Sequence, residues 1–175
     1  MNDRDAVALR EAFRHDKGLY MTCRRGIILT SFGAGLCMMT IALYQTGMLR
    51  RLYDLPSRRI KSSRIAAVPP TYRPLNLPIP DSLLGLVSYA TTAALAALGG
   101  PDRHRRTPAL TLLMSAKVFA DATLGAILFG IQWTWYRAFC MYCVTTSLLS
   151  LAAAGLAVPE TRAALGNFRR RRQLS

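Results

Sequence analysis

The sequence predicts an all-α polytopic membrane protein, a bundle of four transmembrane helices. Long apolar runs alternate with short charged connections, the pattern of bilayer segments joined outside the membrane. The chain is 51% apolar with a mean hydropathy of +0.20, yet its formal net charge is +14. A soluble domain rarely combines these. A nucleic-acid-binding domain gathers its basic residues into one stripe on a compact fold. Here they fall between apolar runs, so no nucleic-acid partner is expected. At 175 residues the chain is one domain by length.

Residues 1–25 form a polar tail. Ala6, Leu9, Ala12 and Phe13 lie at helical spacing, which suits a helix on the membrane surface; a frayed tail fits equally well. The tail is charged throughout, and the following run is too long for a signal h-region, so no cleavable signal peptide is expected. Residues 26–49 are 24 residues without a charge, between Arg24-Arg25 and Arg50-Arg51. That length crosses a bilayer. Residues 50–81 carry seven basic residues, two acids and six prolines, and read as an irregular extramembrane loop. Pro80-Asp81-Ser82 is a helix start with Asp81 as its N-cap. The second span, about 82–100, stops at Gly99-Gly100-Pro101. A short connection through Thr107 predicts that the third helix packs antiparallel to the second. The third span, about 108–135, is interrupted only by Lys117 and Asp121, four apart on one face. The fourth covers about 138–158, Pro159 closes it, and 159–175 is a basic tail.

Four spans place both termini on one side. Fourteen Lys and Arg fall on that side and eight on the other, so the termini are expected in the cytoplasm. Only Lys17, Lys61 and Lys117 are lysine among 23 basic residues. That arginine bias is consistent with a GC-rich bacterial genome, and a bacterial cytoplasmic membrane is the expected location. Membrane lipid is the expected partner of the spans, with anionic lipid available to the run Arg169–Arg172.

Cys140 and Cys143 carry the chemistry. Their spacing puts both sulfurs on one helix face about one turn apart. At a first turn the unpaired N–H groups and the positive dipole end favour thiolate over thiol. On this topology the pair lies one to two turns below the extracytoplasmic surface, amid Trp133, Trp135, Tyr136 and Tyr142, an aromatic belt. Zinc needs two further ligands, and His15 and His104 fall on the cytoplasmic side, so no metal is expected. Cysteine also packs as a small hydrophobe, so coincidence is the competing reading. For Lys117 and Asp121 an internal ion pair and a proton path are both open, since charges at membrane depth need a partner or a cavity.

Phe139-Cys140-Met141-Tyr142-Cys143-Val144-Thr145-Thr146, opening the last helix, resembles the active-site signature of the vitamin K epoxide reductase family. Ser82, Gly85 and Tyr89 in Pro80–Tyr89 resemble that family's second helix start, and Ser62-Ser63-Arg64 falls where it carries a Cys-Ser-Arg segment. The resemblance covers roughly residues 24–160. It implies a four-helix bundle enclosing a quinone near the extracytoplasmic side, and thiol–disulfide oxidoreductase activity. By position, Cys143 faces the quinone and Cys140 exchanges with an incoming dithiol. Asp81 stands where the family hydrogen-bonds a quinone oxygen, Ser147 where some members place a tyrosine in that role, and Tyr89 closes the second motif. The departure is the loop, which holds no cysteine where the family carries a relay pair; Ser62 replaces the relay cysteine nearest the CxxC. Electrons would then have to come directly from an extracytoplasmic thioredoxin-like protein or a small thiol. A non-catalytic bundle is the alternative. A transporter would show internal repeats, and none is clear. Cys37 is expected about 18 Å below its helix end and Cys143 about 8 Å below its own, too far apart for a disulfide, which needs Cα atoms within about 7 Å.

Overall fold

The structure is a computed structural model and describes residues 18–54, 56, 59–67 and 80–173, with Val7 and Glu11. The helical spacing expected across Ala6–Phe13, the loop at 68–79 and the last two residues lie outside the described residues. The elements in order are α1 Leu19–Gln45, α2 Ser62–Ala66, α3 Asp81–Ala97, α4 Arg103–Arg106, α5 Pro108–Ile131, a π-helical turn Gln132–Tyr136, and α6 Met141–Gln173. Among the described residues there is no strand, only a parallel bridge between Ile60 and Phe139. The fold is all-α.

Three stretches are long and apolar enough to cross a membrane: Leu19–Gln45, Pro108–Tyr136 and Met141–Phe168. α3 has 17 residues, about 26 Å at the usual rise, against a hydrocarbon core of roughly 30 Å. The outer faces are apolar: Leu29, Phe32 and Leu36 on α1, Leu124 and Ile127 on α5, and Leu148 and Leu151 on α6 are exposed. Lipid-facing helices look like this, because hydrocarbon tails solvate such side chains as well as a core does.

Association must then come from close packing, which small residues permit. The central core is Ile27, Ala96, Met114, Val118, Ala122, Ala153, Ala154 and Ala157. α1 packs against α3 and α6, and α6 against α5. Gly85 lets α3 approach α1, since a Cβ there would meet Met38 Sδ at 3.0 Å. The expected pairing of α5 with α3 is the lesser contact; α5 packs chiefly on α6. Gly125 is the reason, because a Cβ on it would lie 3.3 Å from Ser147 Cα.

The helices also differ from the expected spans at their ends. α1 starts at Leu19, a turn before Arg24. It ends at Gln45, where Thr46 and Gly47 (φ +79°) turn the chain and Leu49 N–H bonds Leu43 O at 2.9 Å. Pro159 lies inside α6 rather than closing it. A helix proline loses one hydrogen bond and crowds the carbonyl four residues back. Here that residue is Gly155, with open space where a Cβ would stand. Past the proline, Glu160 fixes the helix through ion pairs to Arg24 at 2.7 Å and Arg103 at 2.8 Å, all three side chains being buried. Arg24 also donates to the carbonyls of Gly99 and Gly100, and Arg103 to those of Leu95 and Leu98. The two arginines expected to mark a span's end and a connection are therefore interior residues.

The loop after α1 is folded rather than irregular where it is described. Asp54 accepts the Ser62 N–H at 3.1 Å and so holds the start of α2. Tyr44 OH donates to Ser63 O at 3.2 Å and Gln45 Nε2 to Ala66 O at 3.0 Å, which tie α2 to the end of α1.

Candidate functional site

α5 does not run directly into α6. The π-helical turn Gln132–Tyr136 widens the last turn, and Arg137 takes a left-handed conformation with φ +46°. For a residue with a Cβ that conformation costs on the order of 1–2 kcal/mol. Its effect is to reverse the chain so that Phe139 and Cys140 enter the bundle. Phe139 is held on both sides by the loop: its N–H donates to Arg59 O at 2.9 Å, and its carbonyl accepts from Lys61 N–H at 3.0 Å. Its ring stacks near Phe129 and Trp133.

Cys140 is the residue before α6 and is completely buried. Its N–H donates to Gln132 Oε1 at 3.0 Å. Its Sγ accepts the Cys143 N–H at 3.4 Å, the bond a serine or aspartate makes at an N-cap. Cys140 thus caps its own helix with sulfur. The Cys143 thiol, the backbone N–H groups of Cys143 and Tyr142, and the Ser62 hydroxyl all point hydrogens at it, and they outweigh burial to bring the Cys140 thiol down to about 7. Sulfur at a helix N-terminus is stabilised as thiolate for the same reason any anion is.

Ser62 completes this end. It is fully buried in α2, and its Oγ accepts the Met141 N–H at 2.9 Å. The loop position that lacks a cysteine therefore lies against Cys140, with a hydroxyl that cannot form a disulfide. Leu52, Ala66 and Ile41 close the cover, while Tyr142 and Cys143 pack beside them.

The other sequence candidates separate by depth. Asp81 is the first residue of α3 and not its N-cap; Pro80 holds that place, with no side-chain cap bond. The Asp81 charge reaches Cys143. Ser147, one turn below Cys143, donates its hydroxyl to the carbonyls of Gly125 at 3.0 Å and Cys143 at 2.9 Å. Tyr89 lies deeper, its OH 2.9 Å from Ser150 Oγ. Gln132 was not singled out in the sequence, yet its side chain serves Cys140 and also reaches Cys143; only its place in a turn created by the fold reveals it. Cys37 is nearer the pair than depth along α1 suggested. α1 stops at Gln45, which brings Cys37 within reach of Thr146 and Cys140. All four cysteines are free thiols. Among the described residues no cluster of His, Cys, Asp and Glu is arranged to hold a metal.

In the comparisons with known proteins, a family model described as the vitamin K epoxide reductase family matches residues 26–158. No curated protein and no solved structure matches the chain.

Proposed function

The chain belongs to the vitamin K epoxide reductase family, and from that premise we propose that it couples a dithiol donor to a quinone through Cys140 and Cys143. The observation that carries the reading is the buried Cys140 at the start of α6, its Sγ accepting the Cys143 N–H at 3.4 Å. A membrane oxidoreductase follows from family membership; the substrates and residue roles are our reading.

A quinone supplies a two-electron, two-proton acceptor. The groups near Cys143 suit its carbonyl oxygens: the Gln132 amide offers N–H donors, and the Asp81 carboxyl at the start of α3 is within electrostatic reach. Ser147 spends its proton on backbone carbonyls and serves better as packing beside Gly125. Cys143, deeper on the helix, gives up its electrons as its sulfur bonds to Cys140 Sγ. The disulfide is reopened by a donor thiolate attacking Cys140 Sγ. Cys143 leaves as thiolate and takes a proton, and the donor's second thiol resolves the mixed disulfide. The donor becomes a disulfide and the pair a dithiol again. Because Ser62 and its neighbours cover Cys140, exchange requires the 59–66 segment to move aside. The donor is an extracytoplasmic thioredoxin-like protein or a small thiol. α3, at the lower limit of spanning length, is the fourth span, and both termini are cytoplasmic.

Cys140→Ser and Cys143→Ser variants in membranes, assayed for dithiol-dependent quinone reduction, test this. Loss of activity in both is expected. A parent that reduces no quinone, or full activity in both variants, refutes it. The non-catalytic reading is favoured by one observation, the hydroxyl of Ser62 in the relay position. It predicts a pair that stays reduced after oxidant is added, which thiol labelling reads directly.

A further inference from the structure

Midway along the bundle, α3, α5 and α6 enclose a second polar centre that thiol exchange does not use. Lys117 Nζ lies 2.6 Å from both carboxylate oxygens of Asp121 and 2.6 Å from Ser88 Oγ. Ser88 Oγ donates to Asp121 Oδ1 at 2.9 Å and Thr92 Oγ1 to Asp121 Oδ2 at 3.0 Å. Asp121 also borders a cavity of about 10 Å³ lined by the hydroxyl-bearing Thr30, Ser31, Tyr89, Thr92 and Ser150 and by the apolar Val118, Leu149 and Ala153. That suits a single water with several hydroxyl partners. At the cavity wall Tyr89 OH meets Ser150 Oγ. Ser150 gives its one proton to Thr146 O at 3.0 Å, so Tyr89 is the donor of that pair. Tyr89 is within electrostatic reach of Asp121, Cys143 and Cys37. An ion pair that only held helices together would need no cavity with hydroxyls in its wall beside it.

We propose that Lys117, Asp121, Ser88 and Thr92, with the cavity and the Tyr89–Ser150 pair, form a proton relay serving Cys140 and Cys143; this rests on the redox reading above. The balance of protons gives it a task. Oxidising a thiolate and a thiol to a disulfide releases two electrons but one proton, whereas reducing the acceptor to the hydroquinone consumes two of each. Cys140 near neutrality is partly thiolate, so oxidation of that form leaves the site one proton short. Tyr89 hands its proton toward the dithiol end and recovers one across the cavity from Lys117, whose neutral amine Asp121 and Ser88 then hold. When a donor dithiol reduces the disulfide to thiolate and thiol, one of its two protons is left over and returns to Lys117. The cycle closes.

Redox-difference infrared spectra test the relay without quinone, on purified protein poised between dithiol and disulfide by a soluble dithiol and its oxidised form. A carboxylate or tyrosine band that changes with redox state is expected in the parent. Asp121→Asn and Tyr89→Phe should each remove or shift it. The paired Lys117→Gln/Asp121→Asn variant, with no unpaired charge in the membrane, should keep the parent's thermal midpoint and lose the carboxylate band. With quinone added, Tyr89→Phe should slow quinone reduction about tenfold or more. A parent without such a band, or one identical in all variants, overturns the relay. A band without any quinone reduction overturns the proposed acceptor and leaves the relay standing.

Discussion

Cys140 draws its character from four short contacts rather than from a neighbouring cation. Its sulfur accepts hydrogens from Cys143, Tyr142 and Ser62 and caps α6. Hydrogen bonds to a charged partner are worth about 1.5–3 kcal/mol, and about 1.36 kcal/mol corresponds to one pH unit. Removing a donor that favours the thiolate therefore raises the pH at which the thiol ionises. Ser62→Ala should move the Cys140 midpoint upward from about 7 by about one pH unit. Ultraviolet thiolate absorbance, followed against pH in parent and variant, reads this. The thiolate fraction grows as pH rises through the midpoint, so the variant should hold less thiolate at neutral pH. An unmoved midpoint means that Ser62 only supports the Met141 N–H.

At the scale of elements, the apolar runs and the CxxC were plain in the sequence because both are local patterns. Composition within a window of about twenty residues gives a span, and a three-residue spacing gives a shared helix face. What stayed hidden depends on partners far along the chain. Arg24 looked like a span boundary, yet its partner Glu160 is 136 residues away and draws it inside. Proline normally ends a helix, yet α6 continues past Pro159 because of that same partner. The π-helical turn, the reversal at Arg137 and the loop's pairing with Phe139 follow from the sealing of Cys140 by α2, which no window reports. The close approach of α5 and α6 was likewise not legible, although Gly125 was visible. It is testable by size. Gly125→Val would press on Ser147, whose Cα lies only 3.3 Å from where the new Cβ would stand, and overpacking costs typically about 1–3 kcal/mol. Thermal unfolding in detergent should show that loss, and Gly130→Val, where a Cβ meets nothing within 4 Å, should not.

Across the whole molecule, the dithiol and the Glu160 cluster are polar centres set far apart along α6. The dithiol opens the helix at Met141, and Glu160 lies nineteen residues on, about 28 Å at the usual rise. At Glu160 two guanidinium groups share one carboxylate in the interior, and the carbonyls at the end of α3 take their remaining N–H groups. This cluster joins α1, the α3–α5 connection and α6 at the end away from the chemistry. Buried charges attract strongly but lose much solvation, so such a cluster fixes an arrangement more surely than it adds stability. Removing one partner is different, because the others stay buried and uncompensated. Glu160→Ala should therefore cost about 3–5 kcal/mol, more than Thr111→Val, which touches the carboxylate only at 3.4 Å. Sites this far apart without shared partners behave additively. In protein that remains folded, the Cys140 midpoint and the rate of thiol exchange should thus equal the parent's. Denaturation midpoints and thiolate titration on the same samples check both halves. A shifted Cys140 midpoint in Glu160→Ala would show that the two ends communicate through α6, and the clamp would then belong to the mechanism as well as to the fold.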